Sequence, residues 1–525
     1  MGRSEPVRRE AEHGRGVVPR YVVLAAVMCL VIAPALPLVI STLAAPPASG
    51  VWTRSFADAL FSSLVLAACV SVLSLALGLP LGVLAALYAF HGRGPLILFQ
   101  TLPLLLPSFL PSIGWSNLAA TDGLKWLPMP DGFSGCVFVL GLQAASLVFF
   151  ATWAACRNLT ASQIEAARLH GGERSVLEMS AAACLPVAMV VAWLAGILSL
   201  SDPGAPLIFG YRSVAVEIRT SFSALFDYEL AGRQCLLLAG IVVLLTVPVL
   251  AVGLRRLAAA MLARQARPAA LFPHPVLGWA AMLGLTVVLL LSVGTATLGL
   301  CLPALANPMI RRAAEKVGAT AGTTAVFTIG AGTIAAGLAL VLALATAGQM
   351  RLRWLVVALL LLLLALPPAL AAISVVRAST QAPPQLDWLS RSRFTVALVL
   401  GLRFLPVATI AVMRAVGSLS PSWSDAARVH GVTPLRFLVR VVLPLLAPTL
   451  LVAVLLVAAL SAADITTTHL LEPPGAQSLP VAIFTVMANS PEGLVASLCL
   501  LYLLCVVILL AATSQLARLW SRSAA

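Results

Sequence analysis

The residues best suited to specific work are few, and they come in pairs. Glu165-Ala166-Ala167-Arg168 continues through His170 to Gly171, and Asp425-Ala426-Ala427-Arg428 continues through His430 to Gly431. Five of the seven positions in these two segments are identical, and the copies stand 260 residues apart in a chain of 525. Ser162 and Ser422 each lie three residues ahead of the acid, which fits a capping box that opens a helix. Each acid complements the helix dipole and stands three residues before an arginine, Arg168 or Arg428, with which it can pair. The alanine pairs leave a slim face for another protein to approach. Gly171 and Gly431 suit left-handed C-caps that end each helix. A Leu-Pro follows each copy, at Leu185-Pro186 and Leu443-Pro444, and Thr433-Pro434 restarts a helix in the second. The chemistry offered is docking: twin short helices suit a two-fold symmetric partner.

A second set of residues is charged yet borders or interrupts apolar sequence. Asp202 and Asp464 follow the Leu-Ser pairs Leu200-Ser201 and Leu460-Ser461, and Arg403 stands inside LGLRFLP. Acids near membrane depth are expensive and mark ion paths. Asp202 and Asp464 therefore read either as a cation-attracting mouth of a pathway or as helix caps. Arg403 faces that pathway, pairs with Asp464, or snorkels to an interface. His170 and His430 have no converging partners at metal-ligand spacing, and the nine cysteines are scattered without a CxxC, so no metal site is expected. No GxxxxGK[ST] occurs, so any ATP must bind on another chain. No cluster of acid, histidine and serine suggests catalysis.

The elements that must position these residues are membrane spans. Hydrophobic residues make up 61% of the chain and charged residues 10%, with mean hydropathy +1.03, which excludes a soluble enzyme. The net charge of +14 is spread between apolar runs, as in loops that orient spans, and not gathered as in a nucleic-acid reader. Apolar runs of about 20 residues predict twelve helices, at 21–43, 58–90, 95–117, 134–155, 181–201, 235–254, 276–301, 319–349, 354–376, 394–416, 441–463 and 494–516. Pro80 predicts a kink near the end of the second run. Residues 1–20 read as a cytoplasmic tail, not a cleaved signal. The repeat divides the rest into a first transmembrane domain at 21–263, a linker at 264–275 and a second domain at 276–525. The expected fold is all-α and polytopic: two homologous six-helix halves in a lipid bilayer, both termini cytoplasmic.

The paired motif resembles the EAA loop of permease subunits of type I ABC importers: Glu-Ala-Ala, three residues, Gly, then hydrophobic-x-Leu-Pro. The second copy fits at Asp425, Gly431, Val441 and Leu443-Pro444. The first fits at Glu165 and Gly171, with Pro186 arriving two residues later than the family spacing. Ser201-Asp202-Pro203-Gly204-Ala205-Pro206 and the stretch His469–Gly475, leading to Leu479–Phe484, resemble outer segments of the fused iron(III)- and thiamine-type permeases. The resemblance implies that Glu165–Gly171 and Asp425–Gly431 are coupling helices that insert into two copies of an ATP-binding subunit. It implies a substrate-binding protein as a further partner, a bacterial inner membrane, and no cofactor on this chain. Iron(III) is the first expected substrate, ahead of thiamine, polyamine or another small solute. The main rival, an ion-coupled secondary transporter, would place acids in mid-span, and the acids here fall in loops or at span ends.

Overall fold

The computed structural model describes residues 22, 24–44, 51–121, 130–262, 271–381 and 392–523. The tail at 1–20 and most of the expected linker lie outside the described residues. The first half runs through α1 (Leu24–Ile40), α2 (Arg54–Leu87), α3 (Arg93–Leu105), α4 (Phe109–Ala120), α5 (Gly132–Cys156) and α6 (Ala161–Ser199). It closes with the short α7 (Gly204–Ile208) and α8 (Val214–Ser223), then α9 (Tyr228–Leu262). The second half begins with α10 (Pro275–Ala306), α11 (Ile310–Ala345), α12 (Met350–Ala365), α13 (Pro368–Gln381) and α14 (Arg393–Ser418). It continues with α15 (Pro421–Val429), α16 (Pro434–Ala463), α17 (Ile465–Leu471), α18 (Leu479–Val486) and α19 (Glu492–Ser523).

Among the described residues nine helices are long and apolar enough to cross a membrane, and up to eleven if each of two bent pairs counts as one span. The all-α, polytopic architecture is as expected, and two of the twelve expected runs are bent. The runs at 95–117 and 354–376 are not single helices: α3 and α4 meet at 93°, and α12 and α13 at 79°. Proline explains both elbows, because its ring clashes with a helical residue before it and pushes that residue into extended backbone. Leu106, before Pro107, has φ −96 and ψ 133, and Leu366, before Pro367, has φ −61 and ψ 146. Pro80 lies inside α2 without ending it. The first run is helical from Leu24 through Ala44, with a 3-10 turn at Ala33–Ala35, and so is about 30 Å long, enough to match the hydrocarbon core.

The two halves are built alike and are laced together. In the first, α2, α5 and α6 pack mutually; in the second, α11, α14 and α16 do the same. The opening helix of each half then crosses to the other: α1 packs on α13, and α10 packs on α4. The second crossing is a backbone contact. A Cβ on Gly299 would stand 1.9 Å from the Gly114 carbonyl oxygen, so only glycine fits there. At the first crossing, Leu38 N donates to Ser374 Oγ at 3.0 Å. The linker's described end also makes a fixed contact, since β2 (Phe272–Pro273) pairs in parallel with β1 (Tyr88–Ala89) at the end of α2.

Candidate functional site

The first of the paired helices opens earlier than the sequence suggests. Thr160, not Ser162, caps it: Thr160 Oγ1 accepts from Gln163 N at 3.4 Å, and Gln163 Oε1 accepts from Thr160 N at 3.0 Å. Gln163 thus supplies the reciprocal bond expected of Glu165. In the second copy the cap is Ser420, not Ser422, and Pro421 fills the first helical position, where a missing N–H costs nothing. Ser162 and Ser422 each sit beside the true cap hydroxyl, at 3.1 and 2.7 Å. Glu165 and Asp425 are left exposed one turn further on.

The ends of these helices also differ from expectation in the first copy. Gly431 has φ +63 and takes the left-handed cap. In the first copy that role passes to Gly172, with φ +65, while Gly171 is non-helical at φ −155 and ψ 25. Gly171-Gly172 breaks the backbone, and the chain then continues through Pro186 inside α6. The second copy instead makes a π-turn at Leu438–Val442 just before Leu443-Pro444. Pro444 cannot donate to a carbonyl one turn back, and a wider turn re-routes the bonding around that gap.

Leu169 is 89% exposed and Val429 83% exposed. They occupy the same place in the two copies, next to the exposed Ala166 and Ala426 and the partly buried Ala167 and Ala427. Large apolar residues left exposed at matched places are the feature that most sets these two helices apart from ordinary connectors. Sequence reasoning passed over them, although their signal, a Leu or Val in an otherwise polar turn repeated in both halves, was present.

The copies are anchored differently. Arg168 does not pair with Glu165; its Nε lies 2.6 Å from Glu173 Oε1, and Tyr88 Oη donates to Glu173 Oε2 at 2.6 Å. The Arg168 guanidinium stacks over the Phe272 ring at 3.9 Å, and Ile164 is buried beneath the helix. Among the described residues no ion pair joins Arg428 to Asp425, and Thr433 stands where Glu173 would be. Tyr88, Glu173 and Phe272 could not have been found from local sequence, since up to 184 positions separate them and only the fold brings them together.

The second set of residues gathers at the elbows. The break at each proline strips the carbonyl before it of its helical partner, and such a carbonyl away from water must be satisfied. Gln143 Nε2 donates to Leu106 O at 3.0 Å, and Arg403 Nη1 donates to Leu366 O at 3.4 Å. Gln143 and Arg403 hold matched positions in Leu-Gly-Leu-Gln and Leu-Gly-Leu-Arg, with the same 260-residue separation. Arg403 Nε also lies 2.7 Å from Asp464 Oδ2, in a pair whose side chains are 17% and 6% exposed. Asp464 caps α17 by accepting from Thr467 N at 3.0 Å and Thr467 Oγ1 at 2.9 Å. Asp202 accepts from Ser108 Oγ at 2.6 Å, on the far side of the first elbow, and from Gly204 N at 2.7 Å. All three charged residues therefore clamp broken spans.

Beside the second elbow lies a cavity of about 30 Å³, bounded by α8 and α9 of the first half and by α13, α17 and α18 of the second. Its lining is mainly apolar and includes Ser201, Arg219, His469 and Phe484. Burial first, and the charge of Arg219 second, hold the His469 imidazole below its ordinary pKa. Among the described residues no group of three or more His, Cys, Asp or Glu is placed to hold a metal ion.

Residues 335–522 match the family model of the binding-protein-dependent transport system inner membrane component. The matched stretch takes in the second elbow, Arg403, the helix Pro421–Val429 and Pro444. The match indicates that this stretch is a permease-type transport domain of the kind found in ABC importers. No curated protein and no solved structure matches the chain.

Proposed function

We propose that the chain forms the translocation pathway of an ABC importer, with two permease domains fused in one polypeptide. The first domain spans 21–263 and the second 276–525. Glu165–Gly171 and Asp425–Gly431 are its coupling helices, each seated in one of two ATP-binding subunits that hydrolyse ATP. A substrate-binding protein delivers the solute on the opposite face of the bacterial inner membrane, and both termini are cytoplasmic. The single observation that carries this reading is the pair of matched helices, each presenting one bare apolar residue, Leu169 or Val429, at its tip. An ATP-binding partner that closes symmetrically needs two such contacts. Hydrolysis can bias the pathway only if those contacts differ between its open and closed states. For substrate, the outer segments around Asp202 and His469–Gly475 favour the iron(III) and thiamine class, with polyamine or another small solute behind.

The test is co-purification of the tagged chain with its ATP-binding subunit from native membranes. Leu169→Arg combined with Val429→Arg should abolish the association, because it puts charge into two apolar contacts, and should leave membrane insertion and thermal stability unchanged. Retention of the ATP-binding subunit by the double variant would remove the coupling-helix assignment. Absence of any such subunit from the wild-type preparation would favour the ion-coupled secondary transporter.

A further inference from the structure

Three polar atoms around the cavity between the halves lack a hydrogen-bond partner among the described residues: Ser201 Oγ, Arg219 Nε and His469 Nδ1. They come from three separate segments, and two of the three belong to the first half. No carboxylate lines the cavity with them. The Arg219 guanidinium stacks over the Phe484 ring at 4.4 Å, which offsets part of its desolvation, and His469 meets the same ring edge-on. A guanidinium shut into an apolar space without an anion is costly. Three buried polar atoms without a protein partner around one space are groups that a polar ligand can satisfy.

We propose that this cavity receives the anionic group of a small organic acid, with Arg219 as its counter-ion, Ser201 and His469 as its hydrogen-bonding partners, and the apolar walls around Phe222 and Phe484 holding its carbon body. The ligand class is thus a carboxylate, or an equivalent oxyanion, carried on an apolar frame; a bare metal cation would meet positive charge here. At about 30 Å³ the space holds roughly two waters. A ring-bearing acid therefore needs the lining side chains to move apart as it enters. The assignment does not rest on the importer reading: the acid is a ligand of this cavity and is not identified with the cationic solutes favoured above.

The experiment uses the full chain in lipid nanodiscs without ATP-binding subunits, titrated calorimetrically with benzoate, benzyl alcohol and benzylamine. These three share a ring and differ in charge. Benzoate should bind in preference to the other two, and Arg219→Gln should weaken it about tenfold or more, the scale of one lost charge-assisted hydrogen bond. Arg219→Lys should recover part of the loss. Should Arg219→Gln fail to fold, His469→Gln and Ser201→Ala carry the same test, each weakening benzoate alone. Equal binding of benzylamine, indifference to the substitutions, or no binding of any probe to the wild type would each overturn the assignment. A chain that binds benzoate but recruits no ATP-binding subunit keeps the site and loses the importer reading; the converse result keeps the importer and loses the site.

Discussion

Removing the Arg403 side chain would strand two groups at once, the Asp464 carboxylate and the Leu366 carbonyl. Buried charges left without a partner are the costly half of a broken ion pair, at about 3–5 kcal/mol. Arg403→Gln alone should therefore destabilise the detergent-solubilised protein by about that amount, even though glutamine can still reach the carbonyl as Gln143 does in the first half. Asp464→Asn in the same background should restore part of the loss, with a coupling energy of about 1–3 kcal/mol in a double-mutant cycle. Strictly additive effects on unfolding would mean that the two side chains do not sense each other. Arg403 and Asp464 were both visible in the sequence as charges in apolar surroundings. Their pairing was one of several open alternatives, because nothing local fixes which way a long guanidinium turns. Gln143 escaped attention because an uncharged amide in a span raises no alarm until the elbow beside it is known.

At the scale of elements, the two docking helices share a sequence but not a support. The first is tied down by Arg168, Glu173, Tyr88 and Phe272, whereas the second runs into the Gly431 turn and then a π-turn. Local opening is easier where fewer buried contacts hold a segment. Backbone amides of 161–170 should accordingly exchange with deuterium more slowly than those of 421–429. Tyr88→Phe combined with Arg168→Ala should bring the first copy to the rate of the second. Equal exchange in the wild type would show that the anchor does not rigidify its helix. The existence of both helices was plain from the repeat, and their caps were misplaced by two residues. Thr160 with Gln163 forms a capping box and Ser420 precedes a proline at the first helical position, and local pattern alone does not choose between overlapping caps. The elbows were missed for a related reason: an apolar run interrupted by Pro107 or Pro367 has the composition of a straight span.

For the whole molecule, the interleaving of the halves is the feature that makes them one body. The Gly114–Gly299 crossing joins α4 to α10 with no room for a side chain. Gly299→Leu should force these helices apart and cost at least ~1–3 kcal/mol from overpacking, with a lowered melting temperature and a broadened size-exclusion profile. Gly240→Leu, at an open position on α9, is the matched control. A Gly299 variant that melts like the control would remove the crossing from the list of what holds the halves together. Composition by itself decided that this chain lives in lipid, because a chain with 10% charged residues cannot cover a soluble surface. The repeat by itself located the two matched helices, 260 residues apart. Hydrophobic patterning depends only on neighbours along the chain, so it could carry that much. The bent spans, the exchange of α1 and α10 between halves, the clamp of Arg403 on Asp464 and the unfilled polar atoms around Arg219 depend on residues far apart in sequence. Only the tertiary structure decided them, since the partner that satisfies a buried carbonyl or leaves a guanidinium bare is chosen by packing across the two halves.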